Sequence, residues 1–518
     1  MARFRTPNFH NARFSVAQSL VRELVAKRTG AAASSGLFPL HPVVQAVGHV
    51  LQRVERCELT DAHAADRAYK HHRAAQAAQG VSVPSVGGGT SLIGKIEAAI
   101  HTIEAVFETA ETCADLAARY AIAWAMKDTA KMAEIKSEWE FSPCNLAGWL
   151  KAVEAYLAYY GDHSQPFYNP PLNAQGQDQA PYATPGTFAL PPAAQGEPLR
   201  VGVLGDWGTG EPEAAAVLDQ LMRHRPDVII HVGDVYYAGT QDEQKTNFLD
   251  LVNAARSQHG HNVPVYTLPG NHDYYCGGKP FFDMIQELNA GVPNASTQAH
   301  SFWALVNDRW QLQGMDTGYH DSDLFEVDED NTHLRSDEAA WHLQQLGDHS
   351  GRTVILFSHH QLVSAFEEIG GAWTNPKLAT NLAEWQEAGA RIVAWLWGHE
   401  HVLEVYDPYR VSEDPRFGPV LGRCVGNGAF PVFTDSSDYT ANPAGYKPLP
   451  AQSSPGGGIT FPNDYVQSQA DDLVWASGYA VLDLPGEGDA TAWYYQVKFY
   501  GDVAAAQSEL LWKDSIPA

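Results

Sequence analysis

Five short apolar runs in this chain of 518 residues end in the same kinds of side chain. "LRVGVL" runs into Gly205, Asp206, Trp207 and Gly208. "DVIIHV" runs into Gly233, Asp234, Val235, Tyr236 and Tyr237. "VPVYTL" reaches Gly270, Asn271, His272 and Asp273. "TVILF" gives Ser358, His359 and His360, and "RIVAWLW" gives Gly398, His399, Glu400 and His401. Taken singly, Asp206 or Asp234 is an ordinary turn residue after a strand. Taken as a series, the spacing gathers carboxylates, an amide and imidazoles at neighbouring strand ends, where α/β sheets bind ligands. Glycine lets the backbone turn sharply at each hand-over. The donors are oxygen and nitrogen without a thiolate cluster, which suits Fe, Mn, Zn or Co and excludes a structural zinc of the cysteine type. They exceed the needs of one tetrahedral ion and fit two ions sharing a carboxylate. Such a pair is a device for in-line displacement at phosphorus.

Those strand ends need a scaffold, and the alternation of elements predicts one. From Leu199, strand-like runs alternate with helical stretches such as "EPEAAAVLDQLMRHR", "TNFLDLVNAARS" and "SDEAAWHLQQL", the last with Ser336 as its expected N-cap. This argues for βαβ units and a sheet covered by helices, an α/β fold. "GRCVGNGAFPVF", "GYAVLDL" and "TAWYYQVKFYG" read as β, interrupted by the insertion "NPAGYKPLPAQSSPGGGITFPND". Residues 1–161 read helical: Val16, Leu20 and Leu24 share a face, as do Ile96, Ile100, Ile103 and Phe107. Residues 162–198 read as a Pro-rich linker, with Phe167, Tyr168, Tyr182 and Phe188 as anchors. The expected organisation is therefore a helical domain or arm over 1–161, the linker, and a catalytic domain over 199–518.

Composition narrows the partners. The net charge of −27 disfavours a nucleic-acid or anionic-membrane binder, and no basic stripe offsets it. A phosphate-bearing ligand requires a local positive source, and bound metal supplies one. No run of 18 apolar residues suggests a membrane span. The N-terminus lacks an apolar h-region and a cleavage site, and the five cysteines are widely spaced. A cytoplasmic setting is the expectation.

The series GDWG, GDVYYAG, GNHD, SHH and GHEH resembles the calcineurin-like metallophosphoesterase superfamily over about residues 200–430. Within it, the pattern is most similar to the purple acid phosphatases, nearest the tartrate-resistant type, which shares GDWG and the doubled aromatic. The resemblance implies an α/β/β/α sandwich and a binuclear centre of Fe with Fe, Zn or Mn. Asp206, Asp234, Tyr237 and His401 would hold an iron(III)-type site, with Asp234 bridging. Asn271, His359 and His399 would complete a divalent site. A metal-bound hydroxide would attack, and His272 would face the phosphate and serve the leaving group. On the residues' own terms, Tyr236 is the alternative inward tyrosine. His360 is a second candidate for substrate contact, and Asp273 is placed among the catalytic residues as support for a histidine. Glu400 is expected to point away from its flanking histidines. Cys276 reads as a free thiol, and His300, His320 and His333 are not assigned.

The resemblance implies a phosphatase acting on phosphomonoesters of a small-molecule substrate. A phosphodiesterase on nucleotides or lipid head groups is the nearest alternative, and a non-catalytic scaffold a second. The extension departs from the family. Plant-type enzymes carry an N-terminal β domain, whereas residues 1–161 read helical, which suggests oligomerisation or partner binding.

Overall fold

A computed structural model describes residues 196–518 apart from 294, 323–331, 366–368, 370–371, 432–458, 461–464, 468–472 and 500–502, together with 155–156, 158–160, 163–169 and 186–190. The helical reading of the N-terminal region therefore lies outside the described residues, except for helical residues 155–156 and 158–160. Tyr182 and most of the insertion after Asn442 lie outside as well.

Two large sheets form among the described residues. One has the order β1 (Thr187–Ala189), β5 (Trp303–Val306), β6 (Trp310–Met315), β7 (Thr353–Ser358), β8 (Arg391–Trp397), β10 (Leu421–Val425), β9 (Leu403–Tyr406) and β11 (Ile459–Thr460). The other runs β16 (Gln507–Ile516), β15 (Ala490–Lys498), β14 (Gly478–Leu484), β2 (Leu199–Leu204), β3 (Val228–His231) and β4 (Val265–Thr267). A small hairpin pairs β12 (Tyr465–Gln467) with β13 (Leu473–Trp475).

Strand periodicity explains the layering. Along β2, Leu199, Val201 and Val203 face the other sheet, while Leu204 belongs to the outer layer. Gly202 also faces outward, where an added Cβ would lie 2.9 Å from Leu221 of the covering helix. Along β7, Ile355 and Phe357 point to the intersheet core, and Val354 and Leu356 point outward. Both faces are buried, so these strands read as continuous apolar runs. Helices α1 (Pro212–Arg223), α2 (Asp250–His259) and α4 (Lys279–Leu288) cover the second sheet. Helices α5 (Ser336–Asp348) and α6 (Pro376–Glu387) cover the first. The short helix α3 (Asn271–Tyr274) lies between β4 and α4. The result is the α/β/β/α sandwich. Each large side chain buried here, such as Trp395 or Trp397, contributes roughly 1.5–3 kcal/mol.

Local chemistry sets the helix ends. Asn375 accepts from the backbone N–H groups of Lys377 and Leu378, and Pro376 follows at the first helical position of α6. Helix α5 starts with Ser336 inside it and Arg335 at the cap. Arg335 instead lays its guanidinium 4.0 Å from the ring centre of Tyr168 and 4.8 Å from that of Tyr319. Before α2, a single turn at Gln241–Glu243 passes into a π-helical turn at Gln244–Leu249. The segment before Leu199 is tied to the sandwich. Phe167 packs edge-on against Phe282, and Phe188 is buried within the core on β1, which pairs in parallel with β5. Among the described residues, no helix is long and apolar enough to cross a membrane.

Candidate metal centre

The parallel strands β2, β3 and β4 of one sheet and β7 and β8 of the other deliver the five motifs to one place. Their loops are stitched together by backbone bonds. Asp206 N–H donates to the Gly233 carbonyl, and Gly398 N–H donates to the His359 carbonyl. Trp207, fully buried, donates its indole N–H to the Ala214 carbonyl and anchors the first loop. Among the described residues, four non-glycine residues have positive φ, and three of them are Asp206 (53°), Asp234 (74°) and His399 (69°). Each such conformation costs on the order of 1–3 kcal/mol and persists because its surroundings impose it. Gly270 permits the closest approach: an added Cβ would stand 2.0 Å from Asp234 Oδ1.

Two groups of donors result. In the first, Tyr236 Oη donates to Asp206 Oδ1 at 2.9 Å and lies 3.0 Å from His401 Nε2. His401 Nε2 is 3.3 Å from Asp206 Oδ1, and the ligating atoms of Asp206, Asp234 and His401 lie within 4.8 Å of one another. In the second, His359 Nε2 sits 3.1 Å from Asn271 Oδ1, 3.2 Å from His399 Nδ1 and 3.4 Å from Asp234 Oδ2. Asp234 belongs to both. All of these residues but the tyrosine were expected from the motifs, and each of them is at most 3% exposed.

The two neighbouring tyrosines are placed differently. Tyr236, the alternative inward tyrosine, directs its hydroxyl into the first group. The backbone explains why. Tyr237 turns its main chain inward, with its N–H on Glu243 Oε1 at 2.7 Å and its carbonyl on His272 Nδ1 at 2.7 Å. The preceding side chain is therefore the one that faces the donors.

His360 and Asp273 are both held by protein groups near the donors. His360 has Nδ1 3.0 Å from Thr317 Oγ1 and Nε2 3.1 Å from Asp321 Oδ2, so both ring nitrogens engage protein groups. Its ring packs on His399 with centroids 4.3 Å apart, and the ligating atoms of His359, His360 and His399 lie within 4.8 Å of one another. Asp273 Oδ2 accepts from Asp234 N–H and Gly270 N–H, and its Oδ1 accepts from Gln244 at 2.6 Å. It ties the Asp234, Gly270 and Gln244 segments together, and burial pushes its carboxyl up to about 7.

The remaining expectations are placed simply. Glu400 accepts from Ser364 Oγ, and its carboxylate groups with Glu404 and Cys424 rather than with the histidines. Cys276 donates to the Gly239 carbonyl, and burial pushes its thiol up to about 12. His320 and His333 stack on each other, and His300 meets the Asn169 carbonyl. Tyr275, Glu243, Gln244 and Asp321 were not identified from the motifs. Of these, only Glu243 carried a readable signal, the T-x-x-E capping box at Thr240.

The donors fit metal. His359 Nδ1 faces the Val232 carbonyl at 3.0 Å and must carry the proton there, so Nε2 presents a lone pair. Asn271 donates its amide to Tyr275 Oη at 2.7 Å, which turns Oδ1 inward. The lone pairs of Asn271 Oδ1, His359 Nε2 and Asp234 Oδ2 thus converge in a buried space, an arrangement a cation stabilises. Burial, with Asp206 and Asp273 alongside, pushes the Asp234 carboxyl well up, and burial pushes the His359 imidazole well down. Neutral imidazole is the ligating form.

Residues 199–403 match the family model described as calcineurin-like phosphoesterase. Residues 199–403 form a calcineurin-like phosphoesterase domain. A metallophosphoesterase domain of this kind is a hydrolase, and both donor groups fall within its matched span. No curated protein matches the chain. Among solved structures, this chain resembles the protein TT1561 of Thermus thermophilus at 9% identity and a TM-score of 0.27, over 43% of this chain and 88% of that one. It also resembles a Staphylococcus aureus protein named "Putative 5'-Nucleotidase", solved in complex with alpha-ketoglutarate. That match has 12% identity and a TM-score of 0.26, over 61% of this chain and 54% of that one.

Proposed function

We propose that the chain is a binuclear metal-dependent phosphatase of the purple acid phosphatase type, hydrolysing phosphomonoesters of a small-molecule substrate. The observation that carries this reading is Asp234, shared between two buried donor groups of different chemistry. Asp206, Tyr236 and His401 would hold one ion with it, and a phenol in that set favours iron(III). Asn271, His359 and His399 would hold the other, a divalent Fe, Zn or Mn. The ions would supply Lewis acidity toward the phosphoryl oxygens and toward the attacking water.

The chain's own residues account for the rest. His272 N–H donates to Asp234 Oδ1 at 3.1 Å, which fixes the histidine beside the shared carboxylate. Its Nδ1 must donate to the Tyr237 carbonyl in either protonation state, which leaves Nε2 as the nitrogen that exchanges a proton; in the imidazolium form Nε2–H would pass that proton to the leaving oxygen. Asp273 keeps the Asp234 and Gly270 loops at a fixed separation. A phosphomonoester dianion matches two cations inside an otherwise acidic molecule, which favours the monoester over the diester. The pairing of β14 with β2 supports a catalytic domain over 199–518, and we assign 1–161 to a helical unit and 162–198 to its linker.

The test joins metal analysis to a panel of 4-nitrophenyl phosphate and bis(4-nitrophenyl) phosphate. About two metals per chain and faster turnover of the monoester are expected. Faster turnover of the diester would make the protein a phosphodiesterase. A folded chain that turns over neither would be a scaffold.

A further inference from the structure

The helical turn that precedes α2 lies directly beneath the candidate centre, and three of its side chains reach into the loops above. Glu243 Oε1 accepts from Tyr237 N–H at 2.7 Å. Its Oε2 accepts from Ala238 N–H at 3.2 Å, Thr240 N–H at 2.9 Å and Thr240 Oγ1 at 2.9 Å. Gln244 donates to Asp273, and Asn247 donates to the Tyr236 carbonyl at 3.0 Å. The π-helical turn widens the helix here, and such turns recur at functional sites.

We propose that Glu243 is a positioning residue for the leaving-group proton. Its carboxylate fixes the backbone of Tyr237, whose carbonyl in turn fixes His272 Nδ1 and so the direction of Nε2. Glu243 touches no reacting atom; it acts through one peptide unit. The division of labour between its two oxygens makes the inference sharp. Oε2 gathers three donors and Oε1 gathers one, the N–H of Tyr237. In Glu243→Gln the amide carbonyl oxygen must take the crowded side. The amide NH₂ then opposes Tyr237 N–H, donor against donor, so the capping box survives and the Tyr237 contact is lost.

This inference rests on the phosphatase reading, and its test separates the two. Holoenzyme and the Glu243→Gln variant are compared on 4-nitrophenyl phosphate and on phenyl phosphate. Phenolate is a much poorer leaving group and depends more on a proton donor. Turnover of phenyl phosphate should fall about tenfold or more, while 4-nitrophenyl phosphate falls by less than about threefold, with metal content retained. In a His272→Ala background the same substitution should add less than about twofold, because both changes act through one group. Equal loss on the two esters, or full additivity with His272→Ala, would overturn the role of Glu243 while leaving the phosphatase reading intact. Absence of turnover by the unmodified protein would overturn both. Should Glu243→Gln not fold, Glu243→Asp replaces it. Its shorter carboxylate cannot span Tyr237 N–H and Thr240 N–H together, and the same split between the esters is required.

Discussion

The doubled tyrosine at 236–237 shows what spacing can and cannot decide. Counting three residues from Asp234 selects Tyr237. The structure places the Tyr236 hydroxyl on Asp206 and leaves the Tyr237 main chain on Glu243 and His272. The two readings are separable if the first ion is iron(III). Tyr236→Phe should abolish any violet phenolate charge-transfer band, and Tyr237→Phe should retain it, as an absorption spectrum of each iron-loaded variant would record. A band lost only in Tyr237→Phe would restore the count from Asp234. The carboxylates, the asparagine and the ligand-type histidines were legible because each directly follows an apolar run. Between Tyr236 and Tyr237 the sequence left both open, because a turn separates them from their strand. The roles of Thr317 and Asp321 were illegible too, since they meet His360 from a distant part of the chain.

At the level of elements, the strands were legible through alternation and the helices through their periodicity, and boundaries shifted by little. Strand β1 was not foreseen, because three residues in a Pro-rich segment become a strand only when β5 offers a partner. The π-helical turn likewise has no sequence signature. One helix contains a buried liability that makes a pH-dependent prediction. Glu338 in the first turn of α5 is fully buried and accepts from Asp316 N–H at 2.7 Å. Burial first, and then Asp316, pushes its carboxyl well above the ordinary 4.5. The Asp316 carboxyl itself is pushed up to about 6 by burial, with Tyr274 donating to it. His342 lies 3.4 Å from Glu338, and burial holds its imidazole down to about 3, so it supplies no compensating charge. A carboxyl raised in the folded state contributes its stability below the unfolded value and loses it as pH rises through the folded one. Glu338→Gln keeps an oxygen for Asp316 N–H and removes that loss. Relative to the parent, the variant should be more stable at pH 8 than at pH 5, because the parent alone loses stability as Glu338 ionises. Thermal melts at the two pH values would measure it, and an unchanged difference would show that Glu338 ionises without cost.

Across the whole molecule, the two sheets each carry an incomplete half of the donor set. Asp206, Asp234 and Asn271 come from one, and His359, His399 and His401 from the other. Bound metal would therefore cross-link the sandwich, and a ligand that binds only the folded state stabilises it by mass action. Removing metal with a chelator should lower the melting temperature. A ligand at 100 times its Kd contributes about 2.7 kcal/mol, which for a domain of this size is a shift of several degrees. An identical melt with and without chelator, in protein that measurably lost its metal, would place the ions outside the seam.

The antiparallel pairing of β14 with β2 has a consequence in time. Gly478 emerges 279 residues after Leu199, the difference of their positions (478 − 199). At about 5–20 residues per second, a ribosome needs on the order of 14–56 s to cover that interval. Once β3 (from Val228) is made, β2 can be flanked on that side only, and its other edge has no partner strand until β14. The first donor of the centre thus waits, at the end of a half-flanked strand, for a partner strand made far downstream. Sequences that slow translation between them would lengthen the exposure of an apolar edge, and chaperone demand during synthesis should track that interval rather than the stability of the finished fold.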